Sequence, residues 1–215
     1  MSGASTAGRG PGSLARGAGP SGVGGAGQKA DETMTELAWA TLSSPVGPLT
    51  VGCSPAGVAR LDFRAPGGAG RSWPGQASAT QASPALLSAA RDQLAEYFAG
   101  QRQVFDLPVD WSGCSRAQHR VLSVLYDSVG YGETVTYGEL AQRAVAGPDG
   151  ISLPARAIGR IMGSNPLPLI VPCHRVVAGN GLGGYSGGTG IEIKRWLLIF
   201  EGALPATLDW SPAGA

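Results

Sequence analysis

The spacing of apolar and polar positions changes character along the chain and marks out its elements. From residue 38 to 63, short apolar runs are interrupted by turn residues. Leu42-Ser43-Ser44-Pro45-Val46-Gly47-Pro48-Leu49 places one turn and Ser54-Pro55-Ala56-Gly57 a second, which predicts a small antiparallel sheet. A Gly/Pro/Ser-rich stretch over 65–82 predicts a loop. The period then becomes helical: Leu87, Ala90, Leu94, Tyr97 and Phe98 form a stripe, with Ser83 as cap, Pro84 at the first helical position and Gly100 as the stop. A short apolar run, Val104 to Val109, and a linker to about Gly113 close this α/β half.

The second half is mainly helical. Ser115 caps a helix whose one face carries Val121, Leu122, Leu125 and Val129, and Tyr131-Gly132 breaks it. Thr136-Tyr137-Gly138-Glu139 has capping-box spacing and opens a second helix through Leu140, Ala141, Ala144 and Val145. After a Gly/Pro loop at 147–151, Ser152 is the candidate cap of a third helix with Ile158, Ile161 and Met162 buried. Asn165-Pro166 ends that helix, and Leu169-Ile170-Val171 is predicted to be a short buried strand. A second capping box, Thr189-Gly190-Ile191-Glu192, starts a last helix through Trp196, Leu197 and Leu198 that stops at Gly202. Two short helices joined by a loop, the second basic, have the outline of a helix-turn-helix. The expected organisation is a disordered tail over 1–35, a small α/β domain over 36–111, a winged helix-turn-helix domain over 112–204 and a C-terminal tail over 205–215.

Composition alters this picture at three points. The first 35 residues are rich in Gly, Ala and Ser and too poor in large apolar side chains to offset the entropy of ordering, hence the tail. With 16 basic and 15 acidic residues, bulk charge does not announce a nucleic-acid binder, so any such surface must arise from local placement. The three cysteines (Cys53, Cys114 and Cys173) are widely separated, there is no CxxC pair and only two histidines occur. A disulfide framework and a zinc site are therefore not expected, and a reducing cytoplasmic setting is. Neither a secretory signal nor a membrane span is read.

The third helix carries Arg156 and Arg160 one turn apart, with the small residues Ala155, Ala157 and Gly159 around them. Small outward residues let a helix backbone press into a narrow groove, where contact gives little sequence readout. The same pattern also fits an ordinary solvated helix. Cys173-His174 pairs a thiol with an imidazole able to take its proton. Read alone, that dipeptide fits a buried structural cysteine as well as a nucleophile, and strand alternation would turn the two side chains to opposite faces. Cys53, Cys114 and His119 lack such company and read as structural.

Several further runs, in order, carry a resemblance. Pro172-Cys173-His174-Arg175-Val176, preceded by Asn165-Pro166-Leu167-Pro168-Leu169-Ile170-Val171, resembles the active-site signature of the O6-alkylguanine-DNA alkyltransferases. Tyr131 through Ala141 resembles that family's helix-turn-helix entry, Pro154 through Gly159 its recognition helix, Gly183 through Gly188 its active-site loop, and Lys194-Arg195-Trp196-Leu197-Leu198 with Glu201-Gly202 its last helix. The hairpin Ser44 through Leu49 resembles that of bacterial members.

The resemblance implies a DNA-repair protein that transfers a methyl or other alkyl group from O6 of guanine, or alternatively O4 of thymine, to Cys173. It implies a single turnover without cofactor or metal, by a monomer that engages double-stranded DNA through the minor groove and flips the damaged nucleotide. It further implies that His174 is the base, acting through a water, with Glu201 orienting its imidazole. Asn165 would brace the turn, Tyr137 would assist the departing guanine, Ser186 would bond its oxygen and Lys194 would favour the thiolate. Met162, Pro168 and Tyr185 would wall the pocket, and the backbone of Cys173 and Val176 would read the guanine amino group. Arg156 would fill the gap left in the duplex, with Thr136, Ala155, Gly159 and Arg160 on the DNA.

Departures from the family pattern are a longer stretch between the two helices, Ala146 to Leu153, and a first segment of 35 residues with no counterpart. The zinc ligands of larger relatives and the methyl-phosphate sensing domain of adaptive-response relatives are missing, so transcriptional activation is not expected. Three other readings stand beside this one: a non-enzymatic alkyltransferase-like sensor, which carries another residue in place of the cysteine; a Cys-His-Glu hydrolase; and a plain winged-helix DNA binder with Cys173 structural.

Overall fold

Polar turns between short apolar runs fold residues 38–62 into an antiparallel sheet of β1 (Ala38–Leu42), β2 (Leu49–Cys53) and β3 (Val58–Asp62), in that order. The structure is a computed structural model that describes residues 37–63, 84–187 and 190–206. The expectations for the tail over 1–35, the loop over 65–82, the caps Ser83 and Thr189, and all but the first two residues of the C-terminal tail lie outside the described residues. The β1–β2 turn closes with Gly47 N–H donating to Ser44 O at 3.0 Å, and Gly47 takes φ +98°, a conformation that glycine adopts without strain. Helix α1 (Pro84–Phe98) lays Ala90, Leu94 and Tyr97 on the sheet and ends before Gly100, at φ +73°. The segment after it is irregular, with Phe105 and Leu107 buried.

Helix α2 (Arg116–Ser128) begins at a full capping box of Ser115 and Gln118, and α3 (Tyr137–Val145) at one of Thr136 and Glu139. Helix α4 (Ala155–Gly163) packs against both α2 and α3. Its buried face is Ala157, Ile158, Ile161 and Met162. Ala157 therefore points into the bundle, not outward with Ala155 and Gly159, because the contacts with two helices widen the apolar stripe by one position. The start of α4 also differs from expectation: Pro154, not Ser152, holds the N-cap position, and no side chain caps the helix.

The long α3–α4 connection is fastened. Arg120 of α2 donates from Nε to Ala144 O at 3.1 Å and from its terminal nitrogen to Ala146 O, placing a cation on the C-terminal carbonyls of α3. Ile151 N–H reaches back to Ala144 O at 2.9 Å.

Leu169-Ile170-Val171 is buried as expected but is a turn, not a strand. Asn165 spans it: Nδ2 donates to Val171 O at 2.8 Å and Oδ1 accepts from Leu167 N–H at 3.0 Å. Leu169 takes φ +73°, uncommon for a bulky residue. A single 3-10 turn, Cys173–Arg175, follows, and the strand comes after the cysteine: β5 (Val176–Val177) pairs in parallel with β4 (Val135–Thr136). Helix α5 (Ile191–Phe200) begins with Gly190 at its N-cap and no side-chain cap. One continuous apolar core joins sheet, α1 and the helical half, and Leu61 N–H donates to Pro166 O across the two at 2.8 Å.

Candidate active site

The short 3-10 turn decides where the chemistry lies. On a strand, Cys173 and His174 would diverge; on this turn both side chains face the interior, Cys173 with 4% exposure and His174 with none. Cys173 is also one wall of an open cavity of about 580 Å³. Its other walls are Tyr137 of α3, Ala155, Arg156, Gly159, Met162 and Gly163 of α4, and Gly184, Tyr185 and Ser186 of the loop before α5. Of the predicted pocket residues, Met162, Tyr185, Ser186 and Tyr137 are in place. Pro168 and Val176 are not among its walls: both are buried, Val176 in β5, so only the backbone of Val176 is left for the role expected of it.

Behind the thiol stands a buried polar network centred on Glu201, the C-cap of α5. Its Oε1 lies 2.9 Å from His174 Nε2 and accepts from Arg175 Nη2 at 2.9 Å and Tyr97 Oη at 2.7 Å. Its Oε2 accepts from Arg175 Nε at 2.8 Å and Gly132 N–H at 3.5 Å, and Arg175 Nη1 donates to Val129 O at 2.9 Å. Burial would raise the Glu201 carboxyl, but the hydrogen bonds and charges of His174 and Arg175 outweigh it and hold the group well below the usual carboxylate range. An ionised carboxylate only accepts, so His174 Nε2 carries the proton and Nδ1 carries the lone pair. Nδ1 is buried without a hydrogen-bond partner.

Burial lowers the His174 pKa, against the pull of Glu201, so the imidazole rests neutral. Burial raises the Cys173 thiol, partly offset by Asn165, by the Lys194 charge and by Tyr185. Thiol and imidazole therefore both rest neutral, not as a preformed ion pair. Lys194 is fully buried and donates to Val176 O at 2.6 Å and Gly184 O at 3.3 Å. Burial brings it down to about 8, with Cys173 pulling the other way. Tyr137 Oη donates to Gly184 O at 3.3 Å and Ser186 Oγ to Gly163 O at 3.0 Å, while Tyr185 Oη is buried with no nitrogen or oxygen partner. Arg156 and Arg160 are exposed on α4 beside the cavity, and Thr136 sits at the N-cap of α3.

This constellation has relatives. Residues 116–203 match the family model described as the 6-O-methylguanine DNA methyltransferase DNA binding domain, and residues 37–111 the one described as its ribonuclease-like domain. The methylated-DNA–protein-cysteine methyltransferase of Mycobacterium tuberculosis is 38% identical over 162 residues, which cover 75% of this chain and 90% of the relative. The chain belongs to the 6-O-methylguanine DNA methyltransferase family. A DNA base-flipping protein of Thermus thermophilus is 39% identical over 172 residues, covering 76% of this chain and 99% of the relative. Among solved structures, Mycobacterium tuberculosis OGT in complex with DNA is similar at a TM-score of 0.60 with 37% identity, over 77% of this chain and 92% of that one.

Three participants in this family member's network escaped the sequence reading. Tyr97 counted as one more position of an apolar stripe, Arg175 as a neighbour of the signature pair, and Gly132 as a helix breaker. Arg175 left a signal: an arginine within an apolar run, Val171 through Val177, needs a carboxylate if it is buried.

The network also predicts how stability depends on pH. The folded His174 pKa lies below the unfolded value of about 6.5, so the unfolded chain takes up the proton first. The stability present above about pH 6.5 is lost as pH falls through the folded value. Glu201 adds a second loss below about pH 4.3, its unfolded value, again because the folded pKa is the lower. Urea denaturation at a series of pH values should show a neutral plateau and a decline that starts near the histidine value. His174→Gln should remove that upper step, and an unaltered step in this variant would assign it elsewhere.

Proposed function

We propose that this protein repairs DNA by moving a methyl or other alkyl group from O6 of guanine onto the sulfur of Cys173, once per molecule. The observation that carries the reading is the thiol at the wall of an open cavity, with a neutral, carboxylate-anchored imidazole on the next residue of the same buried turn. A relative named methylated-DNA–protein-cysteine methyltransferase, and another solved with DNA, give the substrate class. O4 of thymine is the alternative site of damage.

The thiol proton passes to His174 Nδ1, directly or through a water, and the resulting imidazolium is held by Glu201. The thiolate attacks the alkyl carbon. A carbon–sulfur bond forms as the carbon–oxygen bond breaks, and the electron pair leaves with the guanine, which takes a proton. A thiol whose pKa is raised by burial is hard to ionise but, once ionised, is the stronger nucleophile. Lys194 favours the thiolate electrostatically, Tyr137 and Ser186 face the departing base, and Asn165 fixes the turn that presents the sulfur. The thioether product is a poor leaving group, so the protein is consumed. No cofactor or metal enters this scheme.

The target base is paired within the duplex and must be flipped out to reach the sulfur. In this reading the exposed edge of α4, with Ala155, Arg156, Gly159 and Arg160, enters the minor groove. Thr136 lies against the backbone and Arg156 occupies the space the nucleotide leaves. Residues 112–204 carry this chemistry, residues 36–111 support it, and a cytoplasmic monomer suffices. The carbonyl of Val176 already accepts from Lys194 and would have to serve the guanine amino group with its second lone pair.

The test is intact-mass analysis after mixing the protein with an oligonucleotide containing O6-methylguanine. One methyl should appear, mapped to Cys173, and product should stop at one equivalent of protein. No adduct on folded protein would refute alkyl transfer, and product well beyond one equivalent would refute the single turnover.

A further inference from the structure

We propose that Tyr97, a residue of α1 in the first half of the chain, is a positioning residue of the reactive centre: its hydroxyl holds the Glu201 oxygen that orients His174. The inference rests on the alkyl-transfer reading for its consequence, but on geometry alone for its content. Tyr97 is fully buried, and its Oη donates to Glu201 Oε1 at 2.7 Å, across 104 positions of sequence. The same oxygen lies 2.9 Å from His174 Nε2 and from Arg175 Nη2, so it serves three donors.

The ring is held on several sides. Phe98, Phe105, Tyr131 and Phe200 surround it with centroids 5.1 to 6.3 Å away. A phenylalanine would suit such an aromatic cage, and a buried hydroxyl without a partner would be a cost. The hydroxyl is thus explained by its one acceptor, not by packing. It is also a poor acid: burial, then the Glu201 charge, push its pKa far up, so it stays a donor throughout the working range.

Its effect on the base follows from competition. Lone pairs shared among three donors give less to each. Without the tyrosine hydroxyl, Oε1 turns more of its density to His174, the imidazole grows more basic, and more of it is protonated and useless as a proton acceptor. The other groups around this pair are Arg175 and Tyr131, which face Glu201, and Lys194, Cys173 and Tyr185 on the side of the thiol. Arg175 and Lys194 oppose protonation of His174, and none of these groups lies on α1. The small α/β half thereby enters the reactive centre through one oxygen atom.

The test uses the whole protein and the fact that it has only two histidines, His119 and His174. The Nε2 proton of His174 is observed by proton NMR in wild type, in Tyr97→Phe and in Tyr126→Phe. The last removes a tyrosine hydroxyl bond, to Phe105 O, without touching Glu201. The resonance should move downfield in Tyr97→Phe, as the His174–Glu201 bond strengthens, and stay in place in Tyr126→Phe. A fluorotyrosine at position 97, fluorinated beside the hydroxyl, is the better donor and should move it upfield, which also serves if Tyr97→Phe does not fold. An unmoved resonance in the fluorotyrosine protein, or equal shifts in Tyr97→Phe and Tyr126→Phe, overturns the proposal.

In the transfer reaction, the more basic His174 makes Tyr97→Phe about threefold slower on the acid limb and equal to wild type well above it. A uniform loss at every pH would mark the role as structural and overturn it. The NMR measurement needs no substrate, so absence of an alkyl adduct in wild type would sink the proposed function and leave this inference to its own result.

Discussion

Replacing Cys173 by Ala should abolish alkyl transfer while leaving DNA binding within about twofold of wild type, a change under roughly 0.5 kcal/mol. The loss should be complete because no other group in the cavity can take over. Tyr137 and Tyr185 are pushed up by burial, then by Cys173, and Ser186 has a backbone carbonyl, not a base, at its hydroxyl. Binding should persist because Arg156 and Arg160 stand on α4, an element held by Ile158, Ile161 and Met162 and not by the thiol. The check is intact mass for transfer and a mobility-shift titration with methylated duplex for binding. The variant separates the readings that the Cys-His pair alone leaves open. A plain DNA binder would show no transfer even in wild type, and a hydrolase would release product in repeated turnovers. Cys53→Ala should leave transfer intact, since Cys53 is buried in β2 and raised to about 11 by that burial. A Cys173→Ala protein that still gains an alkyl group would move the acceptor elsewhere.

What could be read from the sequence was local. The capping boxes at Ser115/Gln118 and Thr136/Glu139 are side-chain bonds between residues three apart, and the spacing alone reveals them. The strands around the Ser44–Gly47 turn are similar, because the turn chemistry sets their pairing. Leu169-Ile170-Val171 misled because three strand-forming side chains say nothing of the Asn165 amide that bridges from Leu167 to Val171 and bends them into a turn. That override is tertiary, and it is what moves Cys173 off a strand and onto the 3-10 turn. The start of α4 misled for a related reason: Ser152 has the right chemistry for a cap, but the fastened α3–α4 loop delivers the chain to the helix two residues later. Tyr97 and Glu201 meet across 104 positions, a distance no periodicity spans. The family resemblance pointed to Cys173, His174 and Glu201 together; Tyr97 and Arg175, which share the Glu201 carboxylate with His174, come from the fold.

Those partners set the second large effect. Glu201→Gln should cost about 3–5 kcal/mol of stability and most of the transfer activity, because it breaks a buried ion pair by removing one side. The glutamine oxygen can serve some of the donors, but its amide nitrogen would face the N–H groups of Arg175. The Arg175 guanidinium would be left buried without an anionic partner, facing only Val129 O and the Tyr131 ring. Arg175→Met should behave differently. The Glu201 carboxylate keeps Tyr97 and His174, and the lost cation can be replaced by a proton on His174, whose protonation Arg175 now opposes. Stability should fall less than in Glu201→Gln, while transfer near neutral pH should slow because the base is already occupied. Combining the two removes both charges, and a buried pair replaced by neutral groups of similar size is often close to neutral in stability. The double variant should therefore be more stable than Glu201→Gln alone, and yet it should not recover transfer, since His174 has lost the carboxylate that holds its imidazolium. Urea denaturation and single-turnover rates on the three proteins decide the matter. A double variant no more stable than Glu201→Gln would mean that the charge left on Arg175 is not what makes the single substitution costly.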